Sequence, residues 1–269
     1  LAYTGTSGKW DASTIDVVCS QQGEHTVLNG ECRFVPDGHS ADFIVVAARA
    51  PDSKGQEGIS LFVVPANTAG ISRKGLPTMD QTRRLAHLTF DNVALDSEAT
   101  MLEPGDAWPT LEKIINLATV ALAAEQLGGS QQVLDSTVAY LQERVQFGRV
   151  IASYQAVKHK AADMMLKVEA SRSAVYYAAC IADEAIKGSD LGSQLSQATS
   201  VAKAYCSDAY FHNAGTGIQL HGGVGFTSEY DIQLYFKRAK SSESLLGDGA
   251  YHRERIAKYL LDDEAIPCS

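Results

Sequence analysis

"LEKIINLATVALAAEQLGGSQQVLDSTVAYLQERVQFG", from Leu111 to Gly148, decides the fold of the second half of the chain. Its first part is apolar almost all round, which is typical of a helix that is buried on every side. Its second part is amphipathic, and Gly148 is a typical helix stop. The stretch therefore predicts one long helix that packs against other helices.

Further helical stretches follow this one along the chain. A second long helix begins near Ser153 and stops at Gly188, and a third runs from about Ser193 to Gly223. Two shorter helices are predicted from Tyr230 to Ser244 and from Tyr251 to Leu261. Long helices joined by short loops favour an antiparallel four-helix bundle.

The residues before this bundle have the pattern of β-strands. "HTVLNGECRFV" contains Asn29-Gly30, which is a strong signal for a two-residue hairpin. "ADFIVVAARA" and "GISLFVVPA" are short β-branched runs of the buried type. We therefore predict an α+β chain, with a small β-barrel-like domain over residues 1–104 and a four-helix bundle over residues 105–269.

Composition excludes several classes of function. The chain has 269 residues, a formal charge of −9 and a pI near 5.2, which argues against a nucleic-acid surface. Its five cysteines form no CxxC pair, so we expect neither a metal site nor a disulfide framework, and a reducing, cytoplasmic location fits. The longest nearly apolar run, Ile114 to Ala124, is too short to cross a membrane.

"QERVQFGRVI", from Gln142 to Ile151, is a candidate ligand motif at the end of the first long helix. Arg144 offers a rigid donor fork that suits a phosphate, and Phe147 offers a face for a flat ring. The alternative is purely structural: a cation that complements the helix dipole, followed by a glycine cap.

"GIQLHGGVGF", from Gly217 to Phe226, is a second candidate motif. Gly222 and Gly223 would let a ligand approach the backbone closely. The stretch follows a helix rather than a strand, so it is not a dinucleotide-binding fingerprint. A tight turn between helices explains it equally well, and a lone histidine such as His221 is more often a structural hydrogen-bonding residue than a catalyst.

These motifs, in this order, together with "LYFKRAKSSESLLGDGAYHRERIA", resemble the acyl-CoA dehydrogenase family. The resemblance covers the chain from about Leu1 to Leu261 and is nearest to a divergent bacterial branch often associated with bulky or steroid-derived acyl-CoA substrates. It implies an enzyme with bound FAD that desaturates an acyl-CoA thioester between Cα and Cβ. It also implies an oligomer, homomeric or heteromeric, that is a dimer or tetramer and passes electrons to an electron-transfer flavoprotein or a similar acceptor.

The resemblance assigns cofactor contacts residue by residue. Arg144 and Phe147 correspond to the pyrophosphate and adenine contacts. Thr4 corresponds to the threonine that faces the isoalloxazine, and Phe34 stands where a tryptophan commonly covers the ring. The loop with Gln219, Gly222 and Gly223 corresponds to the one that packs on the adenosine end of FAD.

The sequence also departs from the family pattern. Pro36 replaces the threonine that usually bonds the flavin, and proline has no backbone donor. "LLGD" stands for "YEGT", so Leu246 occupies the place of the usual glutamate base. Some relatives place the base early in the first long helix, where this chain has Ala118. The family's amino-terminal helical domain has no counterpart in the sequence.

Two carboxylates are candidates for a displaced base. Glu125 lies seven residues after Ala118, nearly two helical turns on the same face, in an apolar stretch where burial would suit a base. Pairing with a lysine or arginine of a neighbouring helix is the open alternative. Asp248 is the second candidate, although turn chemistry explains it better.

The missing glutamate leaves three hypotheses about the function of the chain open. In the first, it is an acyl-CoA dehydrogenase whose base has moved. In the second, it is a non-catalytic or half-site FAD-binding subunit of a hetero-oligomer. In the third, it is another flavoenzyme of the same fold.

Overall fold

The computed structural model describes residues 1–101 and 105–262. It divides the chain into two compact units, the first over Leu1–Lys113 and the second from Ile114 onward. The expected boundary at Pro104 and the last cysteine, Cys268, lie outside the described residues.

A mixed six-stranded sheet forms the first unit. Its strands are β1 (Val18–Gln22), β2 (His25–Pro36), β3 (Phe43–Arg49), β4 (Ile59–Pro65), β5 (Ile71–Gly75) and β6 (Leu85–Leu95). They lie in the order β4-β3-β1-β2-β6-β5, and only β1 and β3 are parallel. Apolar side chains such as Leu28, Val46 and Leu88 are fully buried in the core of this unit, as β-branched and aliphatic runs of this kind predict.

The predicted hairpin at Asn29-Gly30 is wrong. The turn between β1 and β2 lies instead at Gly23-Glu24, where Gln22 pairs with His25. Strand β2 runs straight through Gly30, with a register shift against β6 at that point. A Cβ on Gly30 would lie 2.7 Å from the backbone oxygen of Asp16, so this glycine serves a bulge and a close backbone approach rather than a turn.

Among the residues that the structure describes, five α-helices carry most of the second part of the chain, as predicted. They are α1 (Trp108–Glu143), α2 (Gln155–Lys187), α3 (Leu195–His221), α4 (Ile232–Ser244) and α5 (Gly249–Leu261), and a two-stranded hairpin, β7 (Val145–Gln146) and β8 (Arg149–Val150), follows α1. Helix α2 ends at Gly188 in the left-handed conformation, as its sequence predicts. The α+β fold class, a β unit followed by a helical bundle, is thus confirmed.

Helix α1 is less buried than its composition predicts. Leu111, Ala123 and Leu127 are buried, but Ile114 is 42% exposed and Ala118 and Ala121 are exposed too. The expectation of burial on all sides was therefore wrong for one face of this helix.

No helix within residues 1–101 and 105–262 is long and apolar enough to span a membrane. Across the same ranges, no three histidine, cysteine, aspartate or glutamate side chains cluster as metal ligands would.

Candidate functional site

The hairpin that follows α1 presents the first candidate motif. Phe147 (φ 54°) and Gly148 (φ 77°) are its two central residues, both left-handed, as a type I′ hairpin turn requires. The Phe147 ring is 91% exposed and meets Tyr154 only edge-on. Arg144 is also exposed, directly after the last residue of α1. A guanidinium and an open aromatic face therefore stand three residues apart on one rigid turn.

The end of α3 presents the second candidate motif. Gly222 adopts φ 65° and ψ −142°, a backbone region that is essentially closed to other residues. A Cβ placed on Gly222 or Gly223 would meet nothing within 4 Å, so this backbone is open to an approaching group. The exposed Gln219 lies one turn earlier on α3.

An aromatic contact brings the two motifs to the same end of the bundle. Tyr140, one turn before Arg144, stacks on the ring of His221 at 4.4 Å between centroids. The Tyr140 hydroxyl donates to the His221 carbonyl oxygen at 3.2 Å, next to Gly222. His221 is buried, and its Nδ1 donates to the Gly217 carbonyl at 2.8 Å. His221 therefore acts structurally, by holding the glycine loop beside the end of α1.

A cavity of about 470 Å³ opens beside Gln219. Phe211 and Phe236 form an aromatic wall there, with ring centroids 5.2 Å apart, and His212 and Thr216 add polar atoms. Its volume lies in the range of small-molecule sites. The surface next to the glycine loop is therefore concave and partly aromatic.

In the β unit, the structure brings Thr4 and Phe34 together. The Arg33 N–H donates to the Thr4 carbonyl at 2.8 Å, and the Thr4 hydroxyl donates to the Arg33 carbonyl. Phe34, the next residue, is 42% exposed and has φ 57°. Because the Thr4 hydroxyl proton is already used, Thr4 can serve a ligand only as an acceptor.

The chemistry of these groups suits the parts of FAD that the family resemblance implies for them. Arg144 has the charge and geometry to bind a pyrophosphate, and the backbone at Gly222 and Gly223 is open to close approach. The exposed rings of Phe147 and Phe34 can stack on flat heterocycles.

Glu125 does not have the expected buried environment. Its side chain is 40% exposed, and it forms an ion pair with Arg238 of α4 at 3.0 Å. In this turn of α1 the polar residue that is fully buried is its neighbour, Gln126. The expectation of burial was wrong because the helical period turns residue 125 outward and residue 126 inward. The alternative, pairing with a neighbouring helix, describes the geometry.

Asp248 caps a helix. Its carboxylate accepts a hydrogen bond from the Tyr251 N–H at 2.8 Å, at the first turn of α5. The carboxylate is thus engaged in the turn that precedes α5, which is the role that turn chemistry predicts for it.

Sequence reasoning missed a buried polar network around Lys203 of α3. The Lys203 ammonium is fully buried and donates to the carbonyls of Ser242, Glu243 and Gly247 at 2.9–3.1 Å. Burial lowers its pKa to about 8. The available signal was a lysine among small residues of a predicted helix. It could not identify the partners of this lysine, because they lie some 40 residues further along the chain.

His252 of α5 belongs to the same network. Its Nε2 donates to the Leu246 carbonyl at 3.0 Å, and its Nδ1 lies 3.3 Å from the Ser200 hydroxyl. Burial, followed by the nearby Lys203 charge, lowers the pKa of His252 to about 3. The ring is therefore neutral near pH 7, with the proton on Nε2.

We predict that His252 makes the protein sensitive to acid. The pKa of His252 is about 3 when folded and about 6.5 when unfolded, so the unfolded chain binds more protons between these values. Its contribution to stability is complete above about pH 6.5 and is lost toward pH 3, by at most about 1.4 kcal/mol per pH unit. Urea unfolding at about pH 7 and about pH 5 measures this loss. His252→Gln cannot titrate, so its stability should fall less than that of the wild type; an equal fall would contradict the prediction.

Comparisons with known proteins identify relatives of both units. Residues 1–93 match the family model described as "Acyl-CoA dehydrogenase, middle domain". Residues 105–261 match the one described as "Acyl-CoA dehydrogenase, C-terminal domain".

Individual relatives agree with these matches. An acyl-CoA dehydrogenase of Bacillus subtilis is 32% identical and aligns with 97% of this chain and 68% of its own length. Acyl-CoA dehydrogenase IpdE2 of Mycolicibacterium smegmatis is 39% identical over 82% of this chain and 58% of its own length. The solved butyryl-CoA dehydrogenase of Megasphaera elsdenii is 27% identical, with a TM-score of 0.89 over 97% of this chain and 67% of that one. The chain thus spans about two thirds of the length of the proteins that it resembles.

Proposed function

Because the chain belongs to the acyl-CoA dehydrogenase family, we propose that it binds FAD and desaturates an acyl-CoA thioester between Cα and Cβ. The observation that carries the proposal is the end of the bundle, where the Arg144–Phe147 turn and the open backbone of Gly222 and Gly223 meet through Tyr140 and His221. This arrangement offers a cation, an aromatic face and close backbone approach, which are the groups that a dinucleotide needs.

Each candidate residue has a separate task in the proposed binding of FAD. Arg144 binds the pyrophosphate, and Phe147 stacks on the adenine. Gln219, Gly222 and Gly223 pack on the adenosine end. Thr4 and Phe34 contact the isoalloxazine ring. FAD, when bound, supplies the acceptor for the hydride that leaves the β-carbon.

Glu125 is the proposed base. It takes the proton from the α-carbon while the hydride leaves the β-carbon, so that the remaining electron pair forms the double bond. The support for this role is its position: Glu125 lies on the exposed side of α1, the side on which Ala118 also lies.

A half-site subunit is the second candidate function. It is favoured because both candidate carboxylates already have structural partners. Glu125 forms an ion pair with Arg238, and Asp248 accepts a hydrogen bond from the Tyr251 N–H. In this hypothesis the chain completes an FAD site for a non-identical partner subunit, and a base of that partner removes the proton from the α-carbon. We treat another flavoenzyme of the same fold, such as an oxidase, as the third candidate.

The further partners follow from the family. We propose an electron-transfer flavoprotein as the electron acceptor and an assembly that is a dimer or a tetramer. The described cysteines are all free thiols, which suits a cytoplasmic enzyme.

We predict that the purified protein carries FAD and is larger than a monomer. Flavin absorbance per chain and the native mass measure both. About one FAD per chain in a homo-oligomer supports the dehydrogenase. About half as much FAD, with a non-identical partner chain, supports the half-site subunit. A monomer without flavin would contradict both proposals.

A further inference from the structure

Helix α2 is apolar on the side that points away from the bundle. Its core side is ordinary for a packed helix, with buried residues recurring at intervals of three to four positions. On the opposite side, four large side chains are exposed to 51–69%: Met165, Leu166, Tyr176 and Tyr177. We call these four residues the outer face of α2. An exposed apolar surface of this kind marks a site of contact with another protein surface.

The outer face is symmetric about position 171 of the helix. Met165 and Tyr176 lie eleven residues apart, and so do Leu166 and Tyr177. Eleven residues are about three helical turns, so each pair lies along one side of α2. If a second copy of α2 packs antiparallel across position 171, Met165 contacts the partner's Tyr176. Leu166 then contacts the partner's Tyr177, and both contacts occur twice.

The charges at the two ends of α2 have the same symmetry. Lys158 and His159 are exposed near its start, and Asp183 and Glu184 lie near its end. Lys158 is 25 residues from Asp183, and His159 is 25 residues from Glu184, which is about seven turns. In the same antiparallel pair, the Lys158 ammonium meets the partner's Asp183, and the His159 ring meets the partner's Glu184. A parallel pair would instead bring like charges together.

Within one chain this distribution of charge is unfavourable. The start of a helix favours anions and its end favours cations. Helix α2 has no acidic residue in its first turn, and it has Asp183 and Glu184 near its last turn, where Lys187 pairs with both. A neighbouring helix that runs in the opposite direction compensates this reversed polarity at both ends.

We propose that the outer face of α2 is the contact between two copies of this chain, packed antiparallel about a two-fold axis at position 171. The inference rests on the proposed dimer or tetramer and names its surface and symmetry. A two-fold contact uses the same patch on both copies, so the patch must be complementary to itself. The apolar pairs and the charged pairs of α2 both meet this condition, which favours a second copy over an unrelated chain.

Cross-linking to a native cysteine tests the register of this contact. Ala162 and Cys180 are both exposed, and they lie at equal distances on either side of position 171. In one helix they are 18 residues, or about 27 Å, apart, which is far too long for a disulfide within a chain. The proposed packing brings position 162 against the partner's Cys180. Ala162→Cys should therefore give a covalent dimer under mild oxidation, with a 162–180 link that peptide mass spectrometry detects.

Two proteins are controls for this experiment. In the wild type the two Cys180 thiols would be about 27 Å apart along the helices, so no covalent dimer should form. Ala162→Cys combined with Cys180→Ser should form none either. A covalent dimer in either control would indicate a different register and overturn the inference. A native dimer in which Ala162→Cys forms no link would overturn it too.

Charge reversal tests the two ends of the contact. Lys158→Glu faces the partner's Asp183 with a like charge, and Asp183→Lys does the same to the partner's Lys158. Each should raise the dissociation constant of the assembly about tenfold in sedimentation equilibrium. The double variant restores opposite charges and should recover the wild-type value. Lys258→Glu, at an exposed lysine of α5, is the matched control and should have no effect. Unchanged single variants, or a double variant without recovery, would contradict the proposed contact.

Native mass and flavin content separate this inference from the proposed function. An FAD-bound oligomer that fails the cross-linking test overturns the inference alone, because its copies then meet through another face. A monomer that binds FAD and oxidises an acyl-CoA overturns the inference and the proposed assembly but not the proposed reaction. A non-identical chain that becomes linked to position 162 would show that a different partner covers the outer face, and would overturn the inference as well.

Discussion

Replacing Arg144 with alanine is expected to lower the affinity for FAD by about 10-fold to 100-fold. The guanidinium is exposed on the turn after α1, so it is not needed for packing and is available to a phosphate. A charge-assisted hydrogen bond of this kind contributes about 1.5–3 kcal/mol. Titration of apo-protein with FAD, followed by flavin fluorescence, measures the change.

Lys187→Ala is a suitable control for this experiment. Lys187 is also an exposed cation, at the end of α2, where it pairs with Asp183 and Glu184. Its loss should leave FAD affinity unchanged, because a pair on the surface contributes little and the residue lies outside the proposed site. If Arg144→Ala binds FAD as tightly as this control does, the assignment of the pyrophosphate contact is wrong.

Replacing Glu125 with glutamine should have the larger effect on the reaction itself. A positioned general base typically contributes 10²-fold to 10⁴-fold to the rate, and glutamine cannot accept the proton. We expect the rate of flavin reduction by an accepted acyl-CoA to fall by about that factor, with FAD content unchanged. Anaerobic stopped-flow absorbance measures the rate.

Two further variants make this result interpretable. Arg238→Gln breaks the same ion pair but keeps the carboxylate, so a purely structural effect would appear in both variants. Asp248→Asn should preserve the cap of α5, because asparagine caps helices as well as aspartate does, and should keep its activity. Activity lost in Asp248→Asn and retained in Glu125→Gln would exchange the two assignments.

Local signals in the sequence predicted the helices well. Gly188 stops α2 as the helix-cap rule requires, because a left-handed glycine is a property of a few neighbouring residues. The expected helix stop at Gly148 is wrong, because α1 ends at Glu143 and Gly148 is instead a central residue of the turn between β7 and β8. Where a few neighbouring residues determine the backbone conformation, the sequence is sufficient to predict it.

The failures come from contacts between distant segments. Asn29-Gly30 has the local signature of a turn, but Gly30 is needed because the backbone of Asp16 and Val17 passes against it. The Lys203 network could not be predicted either, since three of the acceptors of its ammonium are backbone carbonyls, which carry no residue type. The apolar stretch also does not predict which of two adjacent polar residues, Glu125 or Gln126, faces inward. That depends on how the helix is rotated in the packed bundle.

Anaerobic addition of a saturated acyl-CoA to the purified flavoprotein is the most direct test of the proposed function. The protein that we describe should lose its visible flavin absorbance as the substrate is converted to the α,β-unsaturated thioester, which mass spectrometry detects. An FAD-bound protein that keeps its oxidised spectrum with every acyl-CoA tried, and forms no unsaturated product, would contradict the account.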